Sequence, residues 1–90
     1  MKLEEILTDQ LTLVDYYADW CGPCKMLALE LAELKDINII KVDVEKEEEL
    51  ALSKNIMTIP YVEIYKDKEL VIHFNGFKTK AEIEEIIKTI

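Results

Sequence analysis

Cysteine, glycine, proline and histidine are all scarce here: two, two, two and one among 90 residues. With only His73 beyond the two cysteines, the chain lacks the four Cys or His ligands that a structural zinc site uses. No apolar run approaches the roughly 20 residues needed to cross a bilayer. The opening Met1-Lys2-Leu3-Glu4-Glu5 turns acidic where a secretory signal would need an apolar core, so a cytoplasmic location is expected. Basic residues are outnumbered, 11 against 19 acidic, and the net charge of −8 speaks against binding a phosphate backbone. That charge favours solubility and can steer the choice of protein partner. Neither nucleic acid nor membrane is an expected partner. There is no internal repeat, low-complexity tract or linker, and residues 1–90 read as one domain with an adequate but not generous core. Half the residues are apolar and a third charged, an ordinary globular balance.

The two cysteines stand together in Trp20-Cys21-Gly22-Pro23-Cys24-Lys25. That spacing lets the sulfurs close a small disulfide, and the Gly-Pro between them suits a strand-to-helix turn. A purely structural staple is a poor reading, because so short a loop removes little entropy from the unfolded chain. In a reducing compartment such a pair is more often catalytic than structural. A Cys-x-x-Cys pair inside a βαβ pattern reads as a redox motif.

The rest of the chain supplies that pattern. Leu3, Ile6 and Leu7 fall at helical spacing and suggest a short opening helix. Leu11 to Tyr16 reads as a buried strand. Pro23 fits the first turn of a helix running to about Lys35, with Met26, Leu27, Leu31 and Leu34 inward. Ile37 to Val44 is rich in β-branched residues and reads as a second strand. A crossover of this length implies parallel pairing with the first. Glu45 to Lys54 reads as a short acidic helix stopped by a left-handed Asn55. Tyr61 to Lys66 and Glu69 to Phe74 form a hairpin turned by Asp67-Lys68. Thr79 and Glu82 make a capping box for a closing helix striped with Ile83, Ile86, Ile87 and Ile90. The predicted order is αβαβαββα, a layered α/β sheet of about four strands.

Four pieces carry a family resemblance: Leu13-Val14-Asp15-Tyr16-Tyr17-Ala18-Asp19-Trp20-Cys21-Gly22-Pro23-Cys24-Lys25-Met26, Lys41-Val42-Asp43-Val44, Ile59-Pro60 and Gly76. Together, at their mutual spacing, they resemble thioredoxin from Leu11 to the C-terminus. The resemblance implies a thioredoxin-like fold with a mixed sheet flanked by helices. It implies a protein disulfide reductase with no bound cofactor, acting on disulfide-containing substrate proteins. Recycling would be by a thioredoxin reductase, with electrons from NADPH or ferredoxin, and a monomer is expected. Thiol–disulfide exchange needs a thiolate, and a helix N-terminus offers Cys21 unpaired N–H groups and the positive end of the dipole. Cys21 is therefore assigned as nucleophile and Cys24, turned toward the protein body, as the resolving thiol.

Asp15 lies inside an apolar strand, an expensive place for a carboxylate without a partner or a task. Burial raises its pKa toward the range of a neutral-pH acid–base, and the family's matching aspartate lies beneath the cysteines and serves the resolving thiol. The competing reading is a carboxylate bonded to nearby backbone. Lys41, whose family counterpart lies close to that aspartate, is either its modulator or a solvated lysine guarding an edge strand. Pro60 matches a cis proline that faces the cysteines, and the backbone before it pairs with extended substrate; a trans proline opening a strand is the alternative. Trp20, Gly22, Pro23, Ile59 and Gly76 would form a flat apolar docking surface around Cys21, though Trp20 also suits a packed strand end. His73 is placed on the solvent face of the last strand, and Met26 and Met57 read as packing residues.

The chain also departs from the family. It lacks the usual first strand, which leaves Ile37 to Val44 as a sheet edge, covered by the opening helix, guarded by Lys41 or used for association. Leu29 stands where a kinking proline is usual, so the active-site helix is expected to be straighter. Tyr17 replaces a common tryptophan and Tyr61 the usual threonine after the cis proline. None of these removes a reacting group. The rival functions are a glutaredoxin-like or single-partner dithiol reductase and, in a different class, a thioredoxin-fold protein-binding module.

Overall fold

Residues 12 to 16 of the first strand are all fully buried, which requires cover on both faces of the sheet. A computed structural model describing residues 1–90 shows where that cover comes from. The elements are α1 (Leu3–Ile6), β1 (Thr12–Tyr17), α2 (Gly22–Leu31), β2 (Asn38–Asp43), α3 (Glu48–Ser53), β3 (Tyr61–Lys66), β4 (Glu69–Asn75) and α4 (Lys80–Ile87). The order αβαβαββα is thus as read. The four strands lie in the order β2-β1-β3-β4, with β1 and β2 parallel and the other pairs antiparallel. This is the thioredoxin-like mixed sheet.

Alternation along the strands sends side chains to two separate cores. Leu13, Val62 and Ile64 meet Leu27 and Leu31 of α2 and Ile83 of α4 on one face. Val14, Tyr16, Val42 and Tyr65 meet Leu3 and Leu7 on the other, with Leu50 and Ile56 packed against them. The helices α2 and α4 are also tied directly, for the N–H of Lys80 donates to Glu30 Oε1 at 2.7 Å. The capping box of α4 is complete: Thr79 Oγ1 accepts from the Glu82 N–H at 3.2 Å, and Glu82 Oε1 accepts from the Thr79 N–H at 2.9 Å. These bonds to Thr79 hold the Glu82 carboxyl below its ordinary range.

Several boundaries shift for identifiable reasons. Helix α2 stops at Leu31 rather than Lys35, because Glu33 and Leu34 bond to carbonyls only three residues back and Asp36 is left-handed at φ 61°. Helix α3 begins at Glu48, not Glu45, because Asp43 captures the preceding amides. Its Oδ1 accepts from Glu45 and Lys46, and its carbonyl accepts from Glu47. Asn55 is left-handed, as read, at φ 53°. Met26 is exposed rather than inward: the buried stripe of α2 is Cys24, Leu27 and Leu31, and Met26 sits about 100° around the helix from Leu27. Met57 is likewise not a packing residue, being 84% exposed. The hairpin tip carries positive φ at both Asp67 and Lys68, the geometry that matches strand twist without glycine. Strand β2 forms one edge of the sheet.

Ile83 is the one fully buried residue of α4, so it should carry most of that helix's docking. Ile83→Ala is expected to cost about 2–5 kcal/mol, read as a lower urea midpoint at unchanged slope.

Candidate active site

Cys21 is the N-cap of α2, with extended backbone at φ −86° and ψ 109°. The chain reaches that conformation because Ala18 accepts the Cys21 N–H at 3.1 Å, closing the turn that leaves β1. Pro23 then opens the helix at a position where no N–H is needed. The Cys24 N–H donates to Cys21 Sγ at 3.2 Å, so the sulfur does the work a serine or aspartate oxygen does at ordinary caps. Cys21 and Cys24 are joined as a disulfide across a Cα–Cα distance of 5.2 Å. Both residues are buried, and they pack with Ala18 against Tyr17, Val44 and Ile59.

The Ile59–Pro60 peptide is cis. The Ile59 carbonyl oxygen lies 3.9 Å from Cys21 Sγ, a contact rather than a hydrogen bond while the sulfur carries no proton. Gly76, left-handed at φ 85°, donates its N–H to the Pro60 carbonyl at 2.8 Å. Glycine suits that backbone, whereas at Gly22 a Cβ would meet nothing. Trp20 is 68% exposed rather than packed into the strand end. Trp20, Gly22 and Pro23 flank Cys21 in the chain, Ile59 packs against it from a second segment, and Gly76 of a third is tied to Pro60, whose ring is fully buried.

Asp15 lies in the middle of β1, paired with Lys41 on one side and Val62 on the other. It is fully buried, and neither carboxylate oxygen has a hydrogen-bond partner, which excludes the backbone-bonded reading. Lys41 Nζ comes to 3.7 Å from Oδ2, an ionic contact too long for a hydrogen bond. Burial pushes the Asp15 carboxyl up from its ordinary value of 3.8, and the Lys41 charge offsets part of that rise. Lys41 also lies 5.5 Å from the centre of the Tyr17 ring, although its side chain stays 43% exposed. A cavity of about 140 Å³ is lined by Lys41, Cys24, Tyr17 and Ala28, so the lysine reaches both the carboxylate and the vicinity of the second cysteine.

The sequence reading missed a second buried carboxylate, Glu63, on the opposite face of β3 from Val62 and Ile64. Its Oε1 accepts from Tyr16 and Tyr65 hydroxyls at 3.0 and 2.9 Å, and its Oε2 accepts from Tyr61 at 3.1 Å and pairs with Lys54 at 3.2 Å. The signal was present, an acid in Tyr-Val-Glu-Ile-Tyr with tyrosines two residues either side. Strand alternation made it look like a solvent-facing position. His73 is exposed beside Tyr61. Nowhere do three or more His, Cys, Asp or Glu side chains come together as a metal site would require.

A Cys-x-x-Cys disulfide at a helix N-terminus on a mixed sheet, with the residue before a cis proline packed on it, fits a thiol–disulfide oxidoreductase. The thioredoxin family model matches residues 2–89. Thioredoxin from Listeria monocytogenes is 37% identical over 89 residues, covering 93% of this chain and 86% of that protein. Thioredoxin from Bacillus subtilis is 38% identical over 85 residues, covering 89% and 82%. The structure of Fasciola hepatica thioredoxin superposes with a TM-score of 0.83 at 30% identity, covering 97% of this chain and 89% of that one. The chain belongs to the thioredoxin family. It is a protein disulfide reductase that cycles between a Cys21/Cys24 dithiol and disulfide.

The raised Asp15 carboxyl has a signed consequence for stability. The native state holds this proton more tightly than the unfolded chain, so stability falls as pH climbs from about the ordinary aspartate range toward the native pKa. Above that, the loss is complete. Asp15→Asn is therefore expected to raise the melting temperature at neutral pH, because the buried amide carries no charge to desolvate. The gain should vanish at acid pH, where wild-type Asp15 is neutral in both states. Thermal melts of both proteins across pH check this.

Proposed function

We propose that Cys21 attacks, Cys24 resolves, Asp15 moves the proton and the Ile59–Pro60 segment holds the substrate. The observation that carries this reading is the Cys24 N–H directed at Cys21 Sγ from the first turn of α2. When the disulfide opens, that N–H and the helix dipole favour a thiolate on Cys21 in particular. Its sulfur bonds to one sulfur of a substrate disulfide. The substrate's S–S bond breaks, and the departing sulfur takes up a proton. Cys24 then gives its proton toward Asp15 and attacks Cys21 Sγ. The mixed disulfide breaks, the second substrate thiol leaves, and two electrons have passed to the substrate.

Asp15 suits the proton step because its carboxyl is desolvated and raised, with no hydrogen bond fixing it in the ionised form. Lys41 modulates it through the 3.7 Å contact. The backbone beside Ile59 offers an extended substrate segment strand-like pairing next to Cys21. Trp20, Gly22, Pro23, Pro60 and Gly76 form the rest of the docking surface. Electrons reside in the sulfur pair, so the cycle needs no bound cofactor. A thioredoxin reductase returns the electrons, and the protein acts as a monomer in the cytoplasm.

Cys24→Ser is expected to accumulate a mixed disulfide with substrate at Cys21, visible on non-reducing gels and reversed by dithiothreitol. Adducts with Cys21→Ser and none with Cys24→Ser would reverse the two roles. Asp15→Asn should slow resolution by at least about tenfold while leaving the first attack intact, measured by single-turnover quench. Turnover supported by glutathione but by no thioredoxin reductase would move the protein to the glutaredoxin-like class. Full biological function in a Cys21→Ser, Cys24→Ser double variant would favour a binding module.

A further inference from the structure

Glu63 is 1% exposed, yet its partners hold it from two directions along the chain. Tyr16, Tyr65 and Tyr61 come from the sheet, Tyr61 as the first residue of β3, and Lys54 comes from the end of α3. Lys54 supplies the opposite charge and Tyr61 a hydroxyl, and the two have a second property in common. They are the residues immediately before and after the segment Asn55–Pro60, which leaves α3 and crosses in front of Cys21. Its other anchors are the backbone bonds of Asn55 and Ile56 to the last turn of α3, the Gly76 N–H on the Pro60 carbonyl, and the packing of Ile56, Ile59 and the buried Pro60. Asn55, Met57 and Thr58 are exposed, Ile56 and Ile59 are half-buried, and Asn75 Nδ2 reaches the Thr58 carbonyl at 3.2 Å and its Oγ1 at 2.9 Å.

The network keeps its donors. Burial and the Glu63 charge push the Tyr61 hydroxyl up to about 12, and burial raises Tyr16 and Tyr65 as well. Burial works against the charge on Lys54, but bonding to Tyr65 at 2.9 Å and the Glu63 carboxylate outweigh it and raise its pKa. The Glu63 carboxylate thus receives hydroxyl protons from three rings and an ammonium from the end of α3. Such a satisfied buried cluster specifies one arrangement of what it joins.

We propose that Glu63 is a positioning residue for substrate binding: through Lys54 and Tyr61 it clamps both ends of Asn55–Pro60 and sets that segment against Cys21. This rests on the reading of Ile59–Pro60 as the substrate-pairing segment. The clamp acts on extended protein substrates and not on the exchange chemistry of the cysteines. A small aromatic disulfide, which needs no strand pairing, should be reduced without it.

The test compares Glu63→Gln with two milder variants, Lys54→Met and Tyr61→Phe, each cutting one limb of the clamp. All are reduced with dithiothreitol and assayed on insulin and on dithiobisnitrobenzoate. Each variant should raise KM for insulin about fivefold, the order of one ordinary lost hydrogen bond, with kcat within about twofold. The second-order rate with dithiobisnitrobenzoate and the reduction potential should not move. Unchanged insulin KM in both mild variants would overturn the proposal, even if melting temperatures fall, because the network would then be structural only. A parallel loss on both substrates would also overturn it, by placing the effect at the cysteines. Ile59→Ala separates the layers. If it raises insulin KM and the clamp variants do not, the segment binds substrate without Glu63. If no variant raises KM, the segment is not the binding element, and both readings fall.

Discussion

Strand β1 has no solvent face, and most of the architecture follows from that constraint. A strand buried on both sides needs neighbours at both edges and helices above and below. Here β2 and β3 supply the edges, α2 and α4 one cover, and α1 and α3 the other. The helix that follows β1 must begin where the strand leaves the sheet, and that is where the first cysteine caps it. The redox pair therefore sits at the end of the most desolvated strand, where a helix N-terminus meets apolar packing.

Two carboxylates are buried in this sheet, and their surroundings treat them in opposite ways. Asp15 has one ionic contact at 3.7 Å and no hydrogen bond, so its charged form is poorly supported. Glu63 has three hydroxyls and an ammonium within 3.2 Å. The first is suited to gaining and losing a proton, the second to holding geometry. One lies on the α2 face near the cavity shared by Cys24 and Lys41. The other lies on the α3 face, behind the segment that carries Ile59. The sheet thus separates the unbonded carboxylate from the fully bonded one by the thickness of one strand layer.

Local signals in the sequence were legible where the physics is local. The Thr79–Glu82 capping box, the left-handed Asn55 and the Pro23 helix start each depend on residues a few positions apart, and each is found as read. Asp15 stood out because it is the one charged residue inside a largely apolar strand. Glu63 did not, because Tyr61 and Tyr65 make β3 look like an alternating strand with one wet face; only α1 and α3, distant in sequence, turn that face into a core. The start of α3 was hidden for a related reason, since Asp43 uses both its side chain and its carbonyl to hold three amides in a turn. The Cys-Gly-Pro-Cys motif with Ile59-Pro60 and Gly76 was readable as a set, whereas the exposure of Trp20 and Met26 depended on helix phase and on the surface they rim.

The strand order gives the site a temporal character. Both cysteines belong to the first third of the chain, and β1 enters the sheet at its centre. Asp15, Tyr17, Ala18 and Trp20 precede them, but the rest of the site is synthesised later: Lys41 on β2, Ile59 and Pro60 before β3, Gly76 after β4, and Ile83 beneath Leu27. A growing chain therefore carries a bare dithiol long before it carries an active site. Long-range closure of this kind slows folding relative to local contacts. Helix α4, the last element made, brings Ile83 against Leu27 and Lys80 to Glu30, so the helix that carries the cysteines gains its full cover only from the end of the chain.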